Sequence, residues 1–349
     1  MSAEVLVACV GLSFLVLLIW AFRTLPTEGW QILASVPVTK MGSHRWKGLN
    51  ITFYGVFVSL ATMVAVSTLI TLTSAILIPV GITILVTALT LVVGFSASKI
   101  VAVLVEKKRH TFTVSGASFA GILATPIILA AVNHFLDQGA TRISAIPFVA
   151  SMAIAYSIGE GLGRLACISF GCCYGKPLSD CHPYIQRLLG PGAFVFTGKL
   201  KKIAYEKGMD GQKVVPIQAM TSCLYVTTGL VATLLFLKNQ YCISLILVTV
   251  VTQSWRVFSE TLRSDYRGPG HFTVYQLMSL VNIGFVVVIV LALDGAPSPV
   301  ANAEAGLRSL WDPTVILFLQ FVGLASFFYT GRSMVTGATI SFHVLNDRI

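Results

Sequence analysis

Charge is scarce in this chain: 11% of its 349 residues are Asp, Glu, Lys or Arg, and the acids number only 14. Soluble domains carry roughly a quarter charged residues, so a largely water-exposed surface is excluded. Intrinsic disorder, which needs high charge and few apolar residues, is excluded with it. The seven cysteines are too few for a disulfide-stapled secreted scaffold. No collagenous or solenoid period recurs. The first apolar stretch lacks a basic n-region and a small-residue cleavage site, so it reads as a retained helix.

What is present is apolar: 55% hydrophobic residues and a mean hydropathy of +0.83. A bilayer core of roughly 30 Å requires about 20 apolar residues per helix. Stretches near Val5–Phe22, Ile51–Leu72, Ala75–Val105, Thr113–Leu136, Ile143–Gly163, Ile217–Leu237, Tyr241–Phe258, Phe272–Leu293 and Thr314–Tyr329 meet that length. An all-α, polytopic transmembrane bundle of about nine spans is expected, with Cys167–Val215 as the one long extramembrane piece. Alternating the loops puts Arg142, Lys238 and Arg308 on one face and the other 21 of the 24 Lys and Arg on the opposite one. Such a bias ordinarily marks the cytoplasmic side, placing the N-terminus outside. An anionic lipid headgroup held on that face is a second reason for the cations.

Ionisable groups at membrane depth cost several kcal/mol and are functional by default. Glu160 and Arg164 stand i, i+4 with the acid first; Glu260 and Arg263 stand i, i+3. Each pair therefore shares a helix face. Two arginines converging near one pocket suit a phosphate, because the guanidinium fork donates bidentately and stays protonated. Structural pairing inside the bundle is the plainer alternative. The glycines around Arg164 fit either close helix packing or the approach of a lipid phosphate.

The run from Gly163 to Gly175, GRLACISFGCCYG, resembles the signature G-R-x-G-N-F-x-N-x-E-x-x-G of bacterial phosphatidylglycerol:prolipoprotein diacylglyceryl transferases. Four further segments fall in the same order. Phe53-Tyr54-Gly55 resembles W-Y-G, and Gly116–Gly121 resembles G-x-S-F-H-G. Val215–Gln218 resembles H-P-x-Q, and Phe258–Arg263 followed by Thr273–Leu280 resembles E-F-x-R then S-M-G-Q-x-x-S. The resemblance implies a seven-helix transferase core at 51–293. An extra helix and loop (1–50) precede it, and an extra helix and tail (294–349) follow it.

It also implies a lateral lipid pocket in a bacterial inner membrane, where phosphatidylglycerol gives its diacylglyceryl group to a prolipoprotein cysteine and glycerol phosphate leaves. Arg164 and Arg263 would hold the phosphate and Glu260 would orient an arginine. Tyr54, Ser118, Gly163, Gly171, Tyr174 and Gln276 would bind substrate. No cofactor, metal or nucleic acid is implied.

Several positions depart from the pattern: Ala120 and Val215 stand where the family has His, Cys167 and Phe170 where it has Asn, and Cys172 where it has Glu. Phosphate binding is therefore better supported than the full reaction. A phospholipid-binding or transport protein without catalysis, or a transferase with a different, cytoplasmic acceptor, stays open. Glu160 is a candidate replacement for the acid missing at Cys172. Cys172 or Cys173 is a candidate nucleophile, its pKa lowered by a nearby cation. Cys172, Cys173, Cys181 and His182 could alternatively build a thiolate-rich zinc site, though the spacing matches no C-x-x-C pair. Tight packing is the plainer reading, and it extends to Cys9, Cys223 and Cys242. His110, His182 and His271 lie on the basic face, where any could stand in for the imidazole absent at Ala120.

Overall fold

In a computed structural model, residues 2–106, 114–135, 143–264, 273–293 and 299–349 are described. Among them nine helices are long and apolar enough to cross a membrane. In chain order the helices are α1 (Ala3–Thr24), α2 (Phe53–Ala75), α3 (Val80–Val101), α4 (Val114–Phe135), α5 (Ala145–Phe170), the short α6 (Pro183–Leu189) and α7 (Lys202–Lys207), α8 (Ile217–Leu237), α9 (Tyr241–Ser259), α10 (Val274–Leu293), the short α11 (Ala303–Ser309) and α12 (Pro313–Thr330). The all-α polytopic class read from hydropathy is the class observed.

The most enclosed span is α5, which packs against α2, α8 and α9. Lipid tails are as apolar as leucine, so helices in a bilayer associate through close backbone approach and interhelical hydrogen bonds. Both are present here. A Cβ on Gly161 would lie 2.9 Å from Val226 Cγ2, and one on Gly229 would lie 2.5 Å from Ile158 Cγ1, so α5 and α8 cross at glycines. Ser157 donates to the Tyr225 carbonyl at 2.8 Å, Tyr225 to the Thr252 carbonyl at 2.9 Å, and Trp255 to the Thr221 hydroxyl at 2.9 Å. These bonds join α5, α8 and α9.

Two features go beyond the helical reading. The segment between α1 and α2 forms a hairpin, β1 (Ile32–Lys40) and β2 (Arg45–Thr52), and the tail after α12 adds β5 (Arg332–Ser341), giving sheet order β1-β2-β5. Strands β3 (Phe194–Val195) and β4 (Lys213–Val214) form a small second ladder within the loop after α5. Apolar residues at alternate positions, Val36 and Val38 before Met41-Gly42-Ser43-His44 and Leu49 and Ile51 after it, were the available signal for the hairpin. Pro37, which cannot donate to a ladder, sits on the edge strand β1. Register pairs Arg45 with Ser341 and Ile51 with Arg332. The sheet thereby ties the two ends of the chain together, with Thr52 N–H donating to the Gly331 carbonyl at 2.8 Å.

The second feature is Lys201, fully buried although it lies in the loop after α5. Its ammonium donates to the Leu25 carbonyl at 3.1 Å and the Ser169 carbonyl at 2.7 Å. It thus caps the C-terminal ends of α1 and α5, where a cation complements the helix dipole. Lys201→Met leaves two buried carbonyls unmatched and is expected to cost about 2–4 kcal/mol.

Burial lowers the Lys201 pKa from its ordinary 10.5 to about 8, against the opposing charges of Glu28 and Cys172. Between those two values the unfolded chain holds more protons than the folded one, so the lysine's contribution to stability rises with pH through that window. Thermal melts of the wild type and Lys201→Met should diverge as pH is raised from about 8 to about 10. A constant gap would count against this placement of the ammonium.

Candidate functional site

The apolar stretch read as ending at Gly163 continues as helix to Phe170. Glycine is tolerated in membrane helices when neighbours pack closely, and a Cβ on Gly159 would lie 2.7 Å from Ala65 Cβ of α2. At Gly163 the nearest atom would be 4.0 Å away, so helix packing does not require glycine there. The extension of α5 carries Arg164 and Cys167 on the same regular helix as Glu160, held between α2, α8 and α9.

Glu160 is the hub of a buried ion cluster. Arg164 donates to Glu160 Oε1 one turn along α5, and Arg256 of α9 brings Nη2 to 3.7 Å from the same oxygen. The side chains are 14%, 12% and 11% exposed for Arg164, Glu160 and Arg256, so they pair within the bundle and not in bulk water. Arg256 also donates to Ser115 Oγ at 2.6 Å and to the Tyr156 hydroxyl. Its guanidinium carbon is 5.9 Å from the centre of the Tyr156 ring.

The Nε atoms of Arg164 and Arg256 and Oε2 of Glu260 are buried with no hydrogen-bond partner among the described residues. A buried N–H without an acceptor costs about 1–3 kcal/mol, so two such donors mark a place where an acceptor oxygen would be stabilised. Glu260 follows at the end of α9, within electrostatic reach of Arg256.

Arg256 was absent from the sequence-based candidates because it reads as one more cation on the basic face. Its position two residues inside the end of an apolar stretch, four before Glu260, was the signal. Tyr156 and Ser115 carried none, being ordinary polar residues in their spans.

Beside the ion cluster lies a group of thiols. α5 ends in a Schellman motif: Gly171 is left-handed at φ +71°, its N–H donates to the Ile168 carbonyl at 3.2 Å, and Cys172 N–H donates to the Cys167 carbonyl at 3.0 Å. This motif brings the residue after the glycine against the residue five earlier, here two cysteines. Cys173 follows in a left-handed conformation, φ +54°, rare for a residue with a Cβ. The Sγ atoms of Cys167, Cys172 and Cys173 all lie within 4.8 Å of one another.

Hydrogen bonds from the other two thiols, reinforced by the charges of Arg263 and Arg164, hold the Cys173 thiol well below the ordinary cysteine range. Cys172 is pushed well above it by its thiol neighbours and by burial. Gly175 then pairs with Arg263 in an isolated antiparallel bridge, Lys176 N–H donates to the Leu262 carbonyl at 3.0 Å, and Ser264 N–H donates to the Tyr174 carbonyl at 3.2 Å. This short ladder joins the end of α9 to the signature loop, so Arg164 and Arg263, 99 positions apart in sequence, act on the same thiol.

The remaining candidates are distributed as follows. Tyr54 stacks edge-on against Phe170 with ring centres 5.8 Å apart, within electrostatic reach of the three thiols and Arg164. Ser118 donates to the Ser115 carbonyl at 3.1 Å, one turn from the Arg256 contact. Gln276 has both ends occupied: Nε2 donates to the Val257 carbonyl at 3.0 Å and Oε1 accepts from Thr273 N–H at 2.8 Å. It ties α10 to α9. Tyr174 is fully buried and its hydroxyl donates to Glu206 at 2.8 Å.

Cys181 and His182 do not join the thiol group. The Cys181 thiol points to the Pro177 carbonyl at 3.6 Å, and His182 Nδ1 accepts from Tyr184 N–H at 3.4 Å. His110 and His271 lie outside the described residues.

No curated protein and no solved structure gives a significant match to the chain. The family model of prolipoprotein diacylglyceryl transferase matches residues 44–292, a stretch that contains α2 through α10, the buried ion cluster, the thiol group and Arg263. With most of its length covered by that match, the chain belongs to the prolipoprotein diacylglyceryl transferase family, a family of membrane transferases.

Proposed function

We propose that the chain transfers the diacylglyceryl group of phosphatidylglycerol to a cysteine thiol, by default that of a prolipoprotein, with glycerol phosphate as the leaving group. The observation that carries this reading is the buried Arg164–Glu160–Arg256 cluster, whose Nε donors have no partner among the described residues, set beside a group of thiols. Fixed donors in a water-poor site stabilise charge where it develops on the departing phosphate and need not reorganise to do so. Arg164, Arg256 and Arg263 neutralise the phosphodiester, Glu160 holds two of these arginines, and Glu260 stands near Arg256. Tyr54, Ser118, Gly163 and Gly171 border the lipid headgroup. Residues 51–293 form the transferase core, with the end helices as additions to it, in a bacterial inner membrane.

A second reading rests on a specific observation. Ala120, Val215 and Phe170 supply neither acid, amide nor imidazole, which suits a phospholipid-binding protein that grips phosphate without turnover. One experiment separates the two: purified protein with phosphatidylglycerol and a cysteine-containing lipobox peptide, with Arg164→Ala as control. Transferase activity gives equimolar glycerol phosphate and lipidated peptide, falling about 10²–10³-fold in the variant. Glycerol phosphate without peptide lipidation indicates another acceptor, and neither product leaves the binding protein. Reaction of Cys181 with an impermeant thiol reagent on intact cells would place the loop after α5 outside.

A further inference from the structure

We propose that Cys167, Cys172 and Cys173 bind one zinc ion, and that its open fourth position takes the acceptor thiol. The second half of this proposal rests on the transferase reading given above; the first does not.

The three sulfurs converge on one another within 4.8 Å. Tetrahedral zinc with Zn–S of about 2.3 Å holds its sulfurs about 3.8 Å apart, so an ion requires the group to close by about 1 Å or less. The backbone is already set for it. The Schellman turn fixes Cys167 against Cys172, Gln218 Nε2 donates to the Cys172 carbonyl at 2.9 Å, and Cys173 holds an otherwise disfavoured left-handed φ.

Outer hydrogen bonds of this sort orient metal ligands. All three cysteines are free of disulfides. No His, Asp or Glu among the described residues adds a ligand atom to the group. Three protein ligands and one open position characterise a catalytic zinc site, in contrast to closed four-ligand structural ones. Zinc with three thiolates carries a charge of −1, and Arg263 and Arg164 stand within electrostatic reach of the group to offset it.

Zinc would supply an activator for the acceptor that Ala120 and Val215, in place of the family's histidines, cannot. A thiol loses its proton to solvent when it binds zinc, because the metal stabilises the thiolate. The bound sulfur's electron pair then forms the new C–S bond to the terminal glyceryl carbon of the donor. The C–O bond to phosphate breaks, and its electron pair leaves with glycerol phosphate, which Arg164, Arg256 and Arg263 neutralise. The thioether product is a weaker ligand than a thiolate and departs.

The test uses the full chain, purified under reducing conditions without chelator. Expected results are about one zinc per chain by elemental analysis and, after exchange for Co²⁺, the intense visible bands of a tetrahedral, sulfur-rich site. Cys172→Ser and Cys173→Ser should each lose most of the metal, whereas Cys9→Ser and Cys223→Ser keep it. Removal of zinc from the wild type and titration back with Co²⁺ gives the same readout without any variant that could misfold. Lipobox peptide should raise the thiolate-to-cobalt band by about one third, as three sulfur ligands become four.

A wild-type protein with no zinc and no cobalt–thiolate band overturns the site. So does a disulfide within the trio in freshly purified protein. An unaltered cobalt spectrum on adding peptide overturns the acceptor position alone. Metal retained without any donor cleavage leaves the site standing and removes the transferase reading, and turnover by metal-free protein overturns the acceptor position while leaving the transferase reading.

Discussion

Glu160→Gln should abolish transfer while the chain still folds, with turnover down by about 10²-fold or more. The substitution conserves shape and removes one charge, and its size follows from what that charge holds. Arg164 and Arg256 both reach Glu160 Oε1 and are only 14% and 11% exposed. Without the carboxylate, two neighbouring guanidiniums remain buried and uncompensated, which costs about 3–5 kcal/mol. The helices keep their glycine crossings and interhelical bonds, so the expected product is a membrane-inserted protein with a lowered melting temperature. Anionic phospholipid should restore part of that loss, because its phosphate can occupy the place of the carboxylate. Melts with and without phosphatidylglycerol, beside the peptide lipidation assay, measure both effects. Wild-type turnover in Glu160→Gln would remove this residue from the mechanism.

Arg256→Lys is expected to lose about 10²-fold in turnover although the charge is conserved. The guanidinium donates from Nη1 to Ser115 at 2.6 Å and from Nη2 to Tyr156, and it also faces Glu160. An ammonium is a single point charge on a flexible stem and cannot repeat that planar geometry toward three side chains on two helices at once. Arg256→Ala should go further. It removes one guanidinium of the cluster and leaves Glu160 with Arg164 alone, a loss of about 3–5 kcal/mol in a buried network. Comparing the two variants separates the contribution of charge from that of geometry. Equal rates for Arg256→Lys and wild type would mean that the positive charge alone matters.

The spans were legible because membrane depth imposes about 20 apolar residues on each helix, and local composition reveals that constraint. Arg164 was legible for the matching reason that a charge among apolar residues is costly and therefore conspicuous. Arg256 was not. At the end of its stretch it resembles the many cations of the basic face, and only the packing of α9 against α5 turns it inward. Polar groups in a membrane protein also serve as structural ties, and the structure finds two of them engaged in intramolecular bonds, Gln276 to Val257 and Tyr174 to Glu206. The thiols were grouped in sequence as Cys172, Cys173, Cys181 and His182, whereas the fold joins Cys167 to the vicinal pair. A Schellman turn sets residues five apart against each other, and nearness along the chain does not register that.

The linear chain settles the membrane class of this protein and the positions of its apolar spans, because each follows from the composition of a local segment. It also displays the motifs that mark the family. Which charges meet, which thiols converge and which polar residues are spent on holding helices together are settled only by tertiary packing. The 24 Lys and Arg are indistinguishable as a count. The crossing of α5 with α9 buries Arg164 and Arg256 on one carboxylate, and the ladder from Gly175 to Arg263 brings a third guanidinium to the same thiols. Burial gives these few charges their strength, and burial is a property of the assembled bundle.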